Sequence, residues 1–159
     1  MTDAVVIGVG NEFARDDAAG IEVVRRLWAE APLGVEVVEH DGEPARLMEL
    51  WAGRKRAWVV DAVRATDGSP GTVHRLEIGA EPIPDRPRRD STHHLGLGDA
   101  VELSRAMGRL PGRLVLIAIE GAWFDTGVGM TPAVTDAVER VAGELRREVR
   151  ASARTGGGR

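Results

Sequence analysis

Residues 5–24 read VVIGVGNEFARDDAAGIEVV. Ala4 to Val9 is an unbroken apolar run too short for a helix, the signature of a strand buried on both faces. Downstream, Ile21, Val24, Leu27 and Trp28 recur at helical spacing, which predicts a helix from about Asp17 to Ala31. A buried strand that passes through a glycine-containing polar loop into an amphipathic helix is the first half of a βαβ unit. The polar loop then falls at the carboxyl end of the strand, where open α/β sheets bind their ligands.

The same alternation continues outward. Val35 to Glu39 predicts a second strand, and Glu43 to Trp51 a short helix with Leu47, Leu50 and Trp51 inward. "AWVVD" (57–61) predicts a third strand that ends on Asp61. A turn over 67–71 leads into a strand from Thr72 to Ile78, and the proline-rich segment 79–92 predicts an exposed loop. A helix from about His94 to Met107, a buried strand "LVLIAI" (114–119) and a glycine-containing loop over 121–130 follow. Thr131-Pro132 has the form of an N-cap with proline at the first helical position. Val134, Val138, Val141, Leu145 and Val149 then form the stripe of a last helix. Beyond Arg150 the chain loses apolar content, so residues 151–159 are expected to be a disordered tail behind a single domain of residues 1–150.

Strands alternating with helices predict a three-layer α/β sandwich: a mainly parallel twisted sheet of about five strands with helices on both faces. Four loops follow predicted strands and share one edge: Gly8 to Asp17, Asp41 to Glu43, Asp61 to Arg64 and Glu120 to Met130.

The first loop is a poor match to a nucleotide cradle. The dinucleotide fingerprint needs a third small residue where this chain has Phe13, and no Gly-Lys-Ser/Thr occurs anywhere. Asp16 and Asp17 also stand where a phosphate would sit, and their charge repels it. Capping of the helix is the plain reading of these two acids, and an Asx-turn is that of Asp61. Convergence argues for more: Asp17, Asp61 and a histidine at one sheet edge make a divalent transition-metal site. His93 and His94 point about 100° apart on a helix, so only one of them ligates, and spacing does not choose between them. Gly8, Gly10 and Asn11 shape the loop. Trp28 and Trp51 lie on apolar helical faces and are expected in the core. Trp123 and Phe124, in a loop at the active edge, are candidates for substrate contact.

Composition narrows the function further. The chain of 159 residues is long enough to bury a core, and its net charge of -4 does not suit a nucleic-acid surface. Without cysteine, metal ligation falls to His, Asp and Glu. No apolar run is long enough to span a bilayer, and the N-terminus lacks a signal-peptide layout, so a cytoplasmic address is expected.

"GVGNEFARDDAAG" resembles the N-terminal signature of the hydrogenase maturation endopeptidases: Gly-x-Gly-Asn, a four-residue spacer, then Asp followed by an acid. "VVDAV" resembles that family's second motif, "STHHLGL" its third (Ser-x-His-x-Leu-Gly) and "GVGMTPAV" its fourth, in the family's order from Val5 to about Arg150. The resemblance implies an endopeptidase that removes the C-terminal extension of a nickel-loaded nickel–iron hydrogenase large-subunit precursor. The nickel would be supplied by that precursor. Position by position, it implies Asp17, Asp61 and His93 as metal contacts, His93 because it matches Ser-x-His. Asp41 matches an acid that the family often follows with Gly-Gly-Thr. Here Glu43 and Pro44 stand after Gly42, a departure that makes Glu43 a candidate for precursor selection. Asp41 or Asp16 is expected to assist proton transfer, and a monomer is implied. The competing readings are a docking protein of the same fold that does not cleave, and a nucleotide-binding α/β domain.

Overall fold

The computed structural model describes residues 2–65, 69–79 and 97–156. Five strands, β1 (Ala4–Val9), β2 (Val35–His40), β3 (Arg56–Arg64), β4 (Val73–Gly79) and β5 (Arg113–Gly121), form one sheet of order β2-β1-β3-β5-β4. Every pairing is parallel except β4 with β5. The α/β class and the mainly parallel five-stranded sheet are as the sequence predicts.

Side-chain alternation divides the sheet between two cores. Ala4, Val6, Trp58 and Val60 face a layer made by α1 (Ala19–Leu27) and α4 (Pro132–Gly156), whose Val134, Val138, Val141, Leu145 and Val149 are all buried. Val5, Ile7, Val9, Ala57 and Val59 face the opposite layer of α2 (Pro44–Trp51) and α3 (Gly98–Ala106). The central strands therefore carry apolar residues at both parities.

From β1 the chain turns one way to β2, then crosses back so that β3 lies on the other side of β1. The carboxyl ends of β1 and β3 thus flank a switch in strand order, the place where such sheets open a crevice. Asp17 follows β1 and Asp61 lies near the end of β3.

Four expectations change in three dimensions. β3 does not stop at Asp61: its ladder with β5 continues through Asp61↔Ala118 to Arg64↔Gly121. The first helix is interrupted; Asp16 and Asp17 lie in a 3-10 turn (Arg15–Ala18) ahead of α1 and make no side-chain cap to it. Trp28 is not core but 52% exposed, its indole N–H donating to the Val37 carbonyl at 3.0 Å. Trp51 is fully buried, with its N–H on Ser104 Oγ at 2.9 Å. Finally, α4 runs on to Gly156, so the tail expected to be disordered from 151 is helical over 151–156, where Ser152 Oγ receives Arg56 Nη1 at 2.7 Å. The loop expected over 79–92 falls almost wholly outside the described residues. Among the described residues no helix is long and apolar enough to cross a membrane.

Candidate active site

Close backbone packing puts the first loop where it is. A Cβ on Gly8 would lie 2.2 Å from the Gly20 carbonyl oxygen, and one on Gly20 would lie 2.3 Å from that of Val60 and 2.5 Å from that of Val9. These two glycines let α1 rest directly on β1 and β3. Gly10, at φ +152°, lies so close to the 3-10 turn that a Cβ would meet the Asp17 carbonyl oxygen at 2.0 Å. Asn11 closes the loop: its N–H donates to the Asp17 carbonyl at 3.3 Å and its side-chain oxygen accepts from Phe13 N–H at 2.9 Å.

This packing brings Asp17 over β3. Asp61 is buried, and its Oδ1 accepts the Ala62 N–H at 2.8 Å. Burial, reinforced by the charge of Asp17, pushes its pKa up to about 8. Asp17, half-buried, is also raised, again by burial. Each site disfavours its own anion. Protonation, or a positive charge brought close to the two carboxyls, relieves that penalty. Among the described residues no cluster of three or more His, Asp or Glu forms a metal cage. His93 and His94, candidates for the third ligand, lie outside the described residues.

Asp17 opens onto a groove of about 630 Å3 that Phe13, His40, Asp41 and Arg46 also line. Asp41 is exposed there; it accepts Arg46 Nη2 at 2.7 Å and Glu43 N–H at 3.1 Å, and the Arg46 guanidinium holds its carboxyl below the usual range. Glu43 is the N-cap of α2, with its carboxylate on the N–H groups of Ala45 (3.1 Å) and Arg46 (2.8 Å). Its carboxylate is engaged in capping this helix.

Asp16, the other proton-transfer candidate, sits apart from Asp41. It is fully buried, and its Oδ2 accepts Ala122 N–H at 2.9 Å, Trp123 N–H at 3.0 Å and the Thr131 hydroxyl at 3.2 Å, while Oδ1 accepts Thr131 N–H at 2.7 Å. Its lone pairs point at the 121–131 loop and away from the groove. Thr131 accordingly gives its hydroxyl to Asp16. The two aromatics of that loop diverge: Phe124 is partly buried against the core beneath Arg64, whereas Trp123 is exposed with its ring under Arg15.

Three contributors carry no motif signal. Gly20 is read from sequence only as part of a helical stretch. His40 accepts Gly42 N–H on Nδ1 at 2.8 Å, and burial lowers its pKa, so a neutral ring lines the groove. Arg15 joins two loops over 100 residues apart; of these three, only a positive backbone φ at a non-glycine could have flagged it, and that is a structural signal.

The model of the hydrogenase maturation protease family matches residues 21–148. That span includes Asp61 and His93 and begins four residues after Asp17. The chain is 28% identical over 138 residues to the hydrogenase 2 maturation protease of Escherichia coli, covering 85% of this chain and 83% of that one. It is 27% identical over 151 residues to the hydrogenase expression/formation protein HupD of Rhodobacter capsulatus, covering 92% and 71%. Its fold is similar to that of the hydrogenase maturating endopeptidase HybD from E. coli, with a TM-score of 0.75 at 25% identity over 94% and 93% of the two chains.

Proposed function

Because this chain belongs to the hydrogenase maturation protease family, we propose that it removes the C-terminal extension of a nickel-loaded large-subunit precursor of a nickel–iron hydrogenase. The observation that carries this reading is the apposition of Asp17 and Asp61 at the switch in strand order, where burial makes two anions side by side unfavourable. A substrate that brings its own divalent cation supplies the charge the pair lacks. His93, assigned by its match to Ser-x-His, completes two carboxylates and one imidazole, a donor set suited to a borderline transition metal.

The chain has no cysteine with which to strip nickel from a thiolate site, so the ion stays with the precursor and acts as the recognition element. Asp17, Asp61 and His93 would hold it there, where it would supply Lewis-acid chemistry, positioning or polarising the scissile carbonyl or activating a water. Asp41 is the proton-transfer candidate that lines this groove with Asp17, since Asp16 is enclosed. Trp123 flanks the site as a contact for the precursor. The protein acts on this partner as a monomer in the cytoplasm.

The test is a processing assay. Nickel-loaded and nickel-free precursor from the same source are each mixed with the protein, with Asp17→Ala and with His93→Ala, and the products are weighed by mass spectrometry. The expected result is loss of a C-terminal peptide from the nickel form only, and from neither variant's reaction. Stable complex formation without shortening would instead identify a docking protein.

A further inference from the structure

Arg15 is the only non-glycine residue with positive φ among those described, at +52°. That left-handed conformation is uncommon for a residue with a Cβ, and it persists only where surrounding structure enforces it. A local turn closes over it, with Asp17 N–H on the Ala14 carbonyl at 3.1 Å, and the other contacts come from the far loop. Arg15 N–H donates to the Gly127 carbonyl at 3.1 Å, Gly127 N–H donates to the Phe13 carbonyl at 2.7 Å, and Ala14 and Gly127 form a parallel bridge. The side chain then crosses the same loop. Its Nη1 donates to the Val128 carbonyl at 2.6 Å, and its guanidinium lies 3.9 Å from the centroid of the Trp123 ring. A Cβ on Gly127 would meet Arg15 Nε at 2.4 Å, so glycine at 127 is what gives the guanidinium its seat.

As a purely stabilising contact this arrangement is poor. Arg15 Nε is buried with no hydrogen-bond partner, and the guanidinium makes no salt bridge among the described residues. Around it, Phe13 (59% exposed), Trp123 (39%) and Val128 (73%) present apolar surface to solvent. Phe13 also lines the groove that holds Asp17, so this rim is continuous with the candidate active site. Local strain and an unsatisfied donor spent on keeping apolar side chains exposed beside a groove point to a binding role.

We propose that Arg15 is a positioning residue for the polypeptide substrate: it clamps the 121–131 loop so that Trp123 and Val128 stay at the rim of the groove and receive apolar side chains of the precursor beside the bond to be cut. The assignment of that occupant rests on the processing function proposed above. Arg15 acts through Trp123 and takes no part in bond breaking.

Arg15→Gly is the informative variant, because glycine adopts a φ of +52° without strain and only the side chain is lost. Amide hydrogen exchange of the free protein, read on peptides covering 121–131, is expected to quicken about tenfold, since opening no longer breaks the contacts of the guanidinium. With nickel-loaded precursor, KM is expected to rise about tenfold with kcat within about twofold, the pattern of lost ground-state binding. Trp123→Ala should raise KM by a similar factor, and the double variant should add little, because both changes remove one surface. Arg15→Lys, which keeps the charge without the planar fork, should recover less than half of the loss.

Unchanged exchange in Arg15→Gly would overturn the clamp. Quicker exchange with unchanged KM, or fully additive effects of Arg15→Gly and Trp123→Ala, would overturn its role toward substrate. The exchange measurement needs no precursor. Failure of the wild-type protein to shorten precursor would therefore count against the processing function and the substrate role together, while the clamp would still be decided.

Discussion

Asp16→Asn distinguishes a carboxylate that holds loops from one that moves protons. In the wild-type protein the two oxygens of Asp16 accept three backbone N–H groups and one hydroxyl, all from residues 122–131. If the Asn oxygen takes the place of Oδ2, the bonds to Ala122, Trp123 and the Thr131 hydroxyl survive without the help of a negative charge. The Asn NH2 then faces the Thr131 N–H, donor against donor. One buried unsatisfied donor costs about 1–3 kcal/mol, and a hydrogen bond to a neutral acceptor is weaker than one to a charged acceptor by about 1 kcal/mol. Over the three surviving bonds and the one lost the sum is about 4–6 kcal/mol, which for a chain of this size lowers Tm by roughly 8–24 °C. Urea unfolding followed by tryptophan fluorescence gives the stability, and cleavage of nickel-loaded precursor at low temperature gives the activity. We expect a lower midpoint with cleavage retained in the folded fraction, any loss appearing in KM as the 121–131 loop shifts. A variant with wild-type stability that cleaves nothing would refute this reasoning and return Asp16 to the chemistry.

Two further outcomes are expected. The Asp61 pKa of about 8 lies above the ordinary 3.8, so between these values the folded state binds more protons than the unfolded one and stability falls as pH rises. Asp61→Asn should flatten that slope and be the more stable protein by several kcal/mol above the folded value, at about 1.4 kcal/mol per unit of displacement; parallel pH–stability curves for the two proteins would contradict it. In Gly20→Ala, the new methyl group meets backbone oxygens of Val60 and Val9 that no rotamer change can move, so α1 must lift from the sheet and take Asp17 with it. A loss of about 3 kcal/mol or more is expected by thermal melting, and a melt that overlays the wild type would show the contact to be loose.

The extent to which the site was legible in the sequence follows from how local each signal is. The Gly8, Gly10 and Asn11 loop could be read because its turn chemistry lies within a few residues of itself. That Asp17 and Asp61 come to one edge could also be read, because strands of a parallel sheet carry their following loops to the same side. Asp16 could not be separated from Asp17 in this way. The two are neighbours of the same type, and what distinguishes them is an array of donors 106 to 115 residues away. That both oxygens of Glu43 cap α2 was likewise not legible as distinct from a substrate role.

By itself the sequence determined the class of fold, the order of its elements and the apolar stripe of the last helix, because hydrophobic period and turn residues are properties of a few consecutive positions. Only tertiary structure decided where β3 ends, since its last residues are held by their ladder with β5. It also decided that Trp28 faces solvent while Trp51 is enclosed, since burial depends on what packs against a helix and not on the helix alone. The rim that Arg15 holds belongs to the same class: its loops lie over 100 residues apart, and no local pattern records a contact made across that distance.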